Sequence, residues 1–137
     1  MILHRITLLT AAILILGQLP SLAQADRYLP VGVDEFNQKP VHLDRQSVTK
    51  IGATSYRYTL SSESEEPDTG KPGRFEEDIV VDCTQLGLIV HLGSRLYDGE
   101  GRLIKSDRIS RTQDINASRF SPYIKGNQIV CSEVSKL

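Results

Sequence analysis

The chain contains two cysteines, one methionine, no tryptophan and almost no excess of either charge. Two cysteines are too few for a zinc centre without histidine help, and no histidine lies near Cys83 or Cys131 in sequence, so no metal site is expected. Sixteen Lys and Arg against seventeen Asp and Glu leave none of the basic field that a nucleic-acid binder needs. There is no G-x-S-x-G elbow, no H-E-x-x-H helix, no phosphate-cradling glycine loop and no dinucleotide fingerprint. No catalytic residue and no cofactor is therefore expected. Past the first 25 residues, no apolar run approaches the ~20 residues needed to span a bilayer.

The opening MILHRITLLTAAILILGQLPSLAQA has a basic start at His4-Arg5 and an apolar run from Ile6 to Leu16. Leu19-Pro20 breaks it, and Ala23-Gln24-Ala25 places small residues at a cleavage site. This is the pattern of a secretory signal peptide over residues 1–25, and its apolar run of about 11 residues is too short for an anchor. With no cysteine near the cleavage point, no lipid anchor is expected. Residues 26–137 then form one small domain, of a length that supports a single modest core. Its charges are 15 basic (16 less Arg5) against 17 acidic. A secreted or periplasmic location follows. In such a compartment two cysteines most simply form one intramolecular disulfide, with an intermolecular bridge or two buried thiols as alternatives.

Antiparallel strands dominate the mature chain. YLPVGVDEF, residues 28–36, suggests an edge strand that tolerates its proline. PVHLD follows, with Val41 and Leu43 on one face and His42 and Asp44 on the other, and residues 44–47 read as a turn before SVTKIG. ATSYRYTLS alternates cleanly, with Tyr56, Tyr58 and Leu60 on one face and Ser55, Arg57 and Thr59 on the other. Residues 61–73, SSESEEPDTGKPG, are polar throughout and predict a mobile loop. RFEEDIVVDC puts Phe75, Glu77, Ile79, Val81 and Cys83 on one face, with Glu76, Asp78, Val80 and Asp82 opposite. In LGLIVHLGSRLYD, Leu88, Val90, Leu92 and Leu96 alternate with Ile89, His91, Arg95 and Tyr97, and Gly93 marks a bulge or close backbone approach. A turn at 98–101 returns the chain as GRLIKSDRI. With no helix long enough for parallel crossovers, the sheet should be antiparallel, of about six strands.

The tail SPYIKGNQIVCSEVSKL departs from this. Ser121-Pro122 is a helix start, and Ile124, Cys131 and Val134 fall on one helical face. Gly126 weakens such a helix by about 1 kcal/mol relative to alanine, so tertiary anchoring is required. A bond from Cys131 to Cys83 would tie the helix to the sheet face that carries Phe75, Ile79 and Val81.

Three groups are candidates for recognition. Tyr56, Tyr58 and Tyr97 would line an aromatic face. Lys105, Arg108, Arg111 and Arg119, with Lys125, form a basic group that could meet an anionic surface, though cross-strand pairing with acids would neutralise it. His42-x-Asp44 places an imidazole and a carboxylate on one strand face, the minimum for a base or a ligand.

The ordered set PVHLDRQSV, YRYTL, IVVDC, RLYDGEGRLI and a final cysteine in IVCSEV resembles the surface-adhesin protein E-like domain, an exported bacterial β domain. The resemblance covers residues 28–134; the tryptophan that relatives often carry in the first strand is missing. It implies a mainly β (α+β) fold, an antiparallel sheet with a short C-terminal helix held against one face by a disulfide. Cys83 and Cys131 are the matching pair. Three functions are weighed. The first is a non-enzymatic binding module for an unknown macromolecule or envelope component, using a sheet face or exposed edge, with a dimer left open. The second is a small-ligand carrier with a tyrosine-lined half-barrel. The third is a small hydrolase or inhibitor resting on His42 and Asp44.

Overall fold

The computed structural model describes residues 26–116 and 121–134. The expected signal peptide, residues 1–25, lies outside the described residues, as does Arg119. Six strands follow one another as a meander: β1 (Tyr28–Val33), β2 (Pro40–Lys50), β3 (Ser55–Glu65), β4 (Pro72–Asp82), β5 (Leu88–Tyr97) and β6 (Leu103–Asp114). They form one antiparallel sheet in sequence order, so β1 and β6 are its edges. A helix, α1 (Ser121–Val134), starts at the expected Ser-Pro and lies over β1, with lesser contacts to β2 and β3. This is the mainly β architecture expected.

The core lies between α1 and the sheet face that carries Leu43, Tyr58, Ile79, Val81 and Ile89, each at most 1 % exposed. Period-2 alternation puts these side chains on one face, and burial of each contributes about 1.5–3 kcal/mol. Cys83, directly after β4, is bonded to Cys131 of α1 with Cα atoms 5.5 Å apart. The helix face turned to the sheet differs from the expected one. Gly126, Asn127 and Val130 are its buried centre, with Ile124 and Cys131 at its flank; the Val134 side chain lies outside the description.

Tyr58 explains that choice. Its hydroxyl donates to Asn127 Oδ1 at 2.7 Å, and Asn127 Nδ2 donates to the Leu86 carbonyl at 2.8 Å. A Cβ on residue 126 would lie 3.2 Å from the Tyr58 hydroxyl and 3.3 Å from its ring. Gly126 therefore trades helix propensity for a close approach of helix to sheet.

Local departures reset the strand phase. The turn expected at 44–47 is an irregularity within β2: Asp44 pairs with Thr59 and the next pair is Thr49 with Arg57. Ser47 bridges the gap, its hydroxyl donating to the Asp44 carbonyl at 2.6 Å and accepting from the Thr59 amide at 2.7 Å. The polar stretch 61–73 is mostly strand: β3 and β4 pair without a register shift from Ser55–Asp82 to Glu65–Pro72, leaving only residues 66–71 as the turn. Backbone pairing needs no apolar side chains, so a polar sequence can continue the ladder, with Glu63 in register opposite Arg74.

Gly93 does mark a bulge. Asp78 pairs with Gly93 and Ile79 with His91, so Leu92 is the extra residue. Gly93 also lets β6 come close, because a Cβ there would run into the Asp107 carbonyl oxygen.

Candidate functional site

The bulge at Leu92 decides which side chains meet. Before it, His91 and Ile89 sit opposite Ile79 and Val81 on the helix face; after it, Arg95 and Tyr97 sit opposite Glu76 and Arg74 on the outer face. The expected grouping of His91 with Arg95 and Tyr97 is therefore corrected by one inserted residue. So is the aromatic face. Tyr56 and Tyr58 are core residues of the helix face, whereas Tyr97 lies on the other side of the sheet with the Arg74 guanidinium 4.6 Å above its ring. Burial raises the Tyr58 hydroxyl pKa well above its ordinary value, and the ring fills the core instead of lining a cavity.

The outer face carries an ion-pair network centred on Asp78, whose side chain is 7 % exposed. Arg95 reaches it with two hydrogen bonds of 2.6 and 2.9 Å, Arg57 with one of 2.8 Å, and the Thr59 hydroxyl with one of 2.8 Å. Burial alone would raise the carboxyl pKa, but these donors together outweigh it and hold it at about 2. Arg95 also contacts Glu76 at 3.2 Å. Nearby, Arg27 grips Asp44 with two bonds of 2.9 and 2.6 Å, which hold the Asp44 carboxyl below its usual range. Asp44 is thus committed to Arg27, and no base–orienter pair with His42 is assembled.

The helix face carries an open cavity of about 370 Å³ that no sequence reading anticipated. The β1–β2 turn contributes Asp34, Glu35 and Phe36 to it; Val41, Leu60 and Phe75 come from the sheet, Pro122 and Tyr123 from α1, and Arg111 and Gln113 from β6. Glu77 is a partly exposed carboxylate in its lining, accepting from the Tyr123 hydroxyl at 2.6 Å, with His91 Nδ1 3.7 Å away. His91 Nε2 meets Gln113 Oε1 at 2.6 Å, and its ring meets that of Tyr123 edge-on, centroids 5.5 Å apart. Burial, then the Glu77 charge, raises the Tyr123 pKa. Ser61 and Ser62 also line the cavity, but both imidazole nitrogens already face Gln113 and Glu77.

The basic group is divided. Arg111 belongs to this cavity, whereas Arg108 lines a depression of the outer face beside Arg57, Asp78 and Arg95. Lys105 contacts Asp107 at 3.6 Å, and both are exposed, so the pair is worth little. Among the described residues, no cluster of three or more His, Cys, Asp or Glu has the arrangement of a metal site, and no helix is long and apolar enough to cross a membrane.

β6 is the third surface. Eleven of its twelve residues are exposed and only Gln113 is partly covered, with Leu103, Ile104 and Ile109 between 45 and 54 % exposed. Comparison with protein-family models, with curated proteins and with solved structures found no match to this chain.

Proposed function

We propose that the chain is an exported, non-enzymatic binding module of the bacterial envelope that captures an extended segment of a protein partner along β6. The observation that carries this reading is the asymmetry of the sheet edges. β1 is six residues long, contains Pro30, breaks register before Gly32 and lies under α1. β6 is twelve residues long, has no proline and, among the described residues, no helix packed over it as α1 is over β1. An edge of that length presents unpaired amides and carbonyls to an added strand, while exposed apolar side chains supply contact area. Lys105, Asp107, Arg108 and Arg111 keep the free edge soluble and demand a partner of matching charge.

Export is supported by the signal-peptide pattern together with the Cys83–Cys131 bond, which persists in an oxidising compartment. The tethered helix and the ordered motifs support kinship with the surface-adhesin protein E-like domain, of which only the fold is carried over. Against catalysis stand the commitment of Asp44 to Arg27 and the engagement of His91 Nε2 with Gln113.

A second reading, a carrier of a small ligand, draws on the cavity beside Tyr123 rather than on Tyr56, Tyr58 and Tyr97.

The test uses immobilised protein, wild type and I104K/I109K, exposed to envelope fractions and purified matrix proteins. The proposal expects a protein retained by the wild type through about 0.3 M salt and lost with the variant. Retention that is unchanged in the variant, or that salt alone abolishes, overturns it. Self-association abolished by the same substitutions would make the partner a second copy of the chain.

A further inference from the structure

We infer that the cavity beside the first turn of α1 binds a cationic group, an ammonium or guanidinium carried on a short apolar stem. This rests on the carrier reading of the same cavity and names its ligand class. Its volume of about 370 Å³ suits a small ligand rather than a macromolecular surface.

Charge is the first argument. Among the described residues, three carboxylates, Asp34, Glu35 and Glu77, line the cavity against one guanidinium, Arg111. Asp34 is engaged in its own turn, accepting from the amides of Phe36 at 2.8 Å and Asn37 at 3.1 Å. Among the described residues, Glu35 has no ion-pair partner, and neither does Arg111. Glu77 is more telling. One of its oxygens accepts from the Tyr123 hydroxyl at 2.6 Å; the other, Oε1, has only His91 Nδ1 near it, at 3.7 Å. At 3.7 Å, Nδ1 lies beyond hydrogen-bonding distance of that oxygen, while Nε2 is engaged with Gln113. Oε1 is thus the Glu77 oxygen not committed to Tyr123, at a partly exposed position in the cavity lining.

The rings are the second argument. Phe36, Phe75 and Tyr123 line the same cavity, and Phe36 is 93 % exposed. An exposed phenylalanine next to carboxylates is a poor solvent-facing residue and a good cover for a cation, whose charge the ring face attracts. Val41 and Leu60 offer an apolar bed for the stem. A neutral apolar ligand would leave the Glu77 charge uncompensated, and an anion would meet three carboxylates. Arg111 is a cation of the cavity lining itself, so its charge opposes binding while that of Glu77 favours it.

That opposition gives the test. Binding of 2-phenylethylamine, 2-phenylethanol and 3-phenylpropionate at pH 7 is measured by calorimetry on the full exported protein. The ammonium probe should bind at least about tenfold more tightly than the alcohol or the carboxylate. Glu77→Gln should weaken it about tenfold, and Arg111→Gln should tighten it about threefold. Thermal unfolding of each variant checks the fold; if Glu77→Gln is unfolded, Phe36→Ala, at an exposed position, replaces it and should weaken the ammonium probe alone. If no probe binds, the carrier reading itself fails. If the alcohol or carboxylate binds as well as the amine, or Glu77→Gln and Phe36→Ala leave the amine unaffected, the cavity keeps its ligand role and the cationic class is overturned.

Discussion

Replacing both cysteines, C83S/C131S, removes the covalent tether of α1. Cys83 and Cys131 are 48 residues apart, and closing a loop of that length restricts the unfolded chain by about 4 kcal/mol in the chain-entropy model. What remains to hold the helix includes burial of Val130, the Tyr58–Asn127, Asn127–Leu86 and Tyr123–Glu77 hydrogen bonds, the exposed Arg45–Glu133 ion pair and the fit of Gly126 to Tyr58. A helix of 14 residues is marginal on its own, and Gly126 makes it weaker. For a domain of about 110 residues the unfolding entropy is roughly 0.23 kcal/mol/K, so losing 4 kcal/mol lowers Tm by about 17 °C. Thermal unfolding followed by circular dichroism reads this directly, with reduced wild type as a second route to the same state. A drop of less than about 4 °C, equivalent to roughly 1 kcal/mol, would refute the reasoning: the tether would then be incidental and the polar clasp sufficient.

Tyr58→Phe deletes one hydroxyl at a fully buried position and leaves Asn127 Oδ1 without its donor. The expected cost is about 1–3 kcal/mol, read by urea denaturation. Asp78 sets an acid limit. Its carboxyl, depressed from 3.8 to about 2, contributes stability that is present above about pH 4 and lost as pH falls toward 2. The contribution is about 2 kcal/mol, so the stability of Asp78→Asn should fall less steeply across that window than that of wild type. Gly93→Ala should break the β5–β6 pairing by at least about 1 kcal/mol, because the new methyl meets the Asp107 carbonyl; faster amide exchange confined to residues 103–114 would report it.

Where side-chain alternation runs without interruption, sequence and structure agree. Tyr56, Tyr58 and Leu60, then Ile79 and Val81, lie on the buried face because nothing disturbs the β3–β4 ladder. The helix start at Ser121-Pro122 was equally readable, since cap and proline act locally. An intramolecular bond between the two cysteines was the simplest of three readings for an exported chain, and it is the one formed.

The cavity was not legible, for a reason of phase. Whether Leu92 or His91 faces the helix depends on one unpaired residue in β5, and Gly93 marks the bulge without fixing which side chain is displaced. A shift of one position sends His91 to Glu77, Gln113 and Tyr123, and sends Tyr97 to Arg74 on the opposite face. The same applies to Lys105, Arg108 and Arg111, which are close in sequence and yet divide between the two sides of the sheet. Residues 61–65 were obscure for another reason. Their composition is that of a loop, and only pairing with residues 72–76 of β4 makes them strand.

Amide hydrogen exchange along β6 tests the central claim most directly, with the protein alone and then saturated with a partner retained by wild type but not by I104K/I109K. The account predicts that residues 103–114, which pair with β5 on one side only, exchange with alternate amides unprotected in the isolated protein, and that these amides become protected in the complex. Full protection in the isolated protein, or no change on binding, would contradict it.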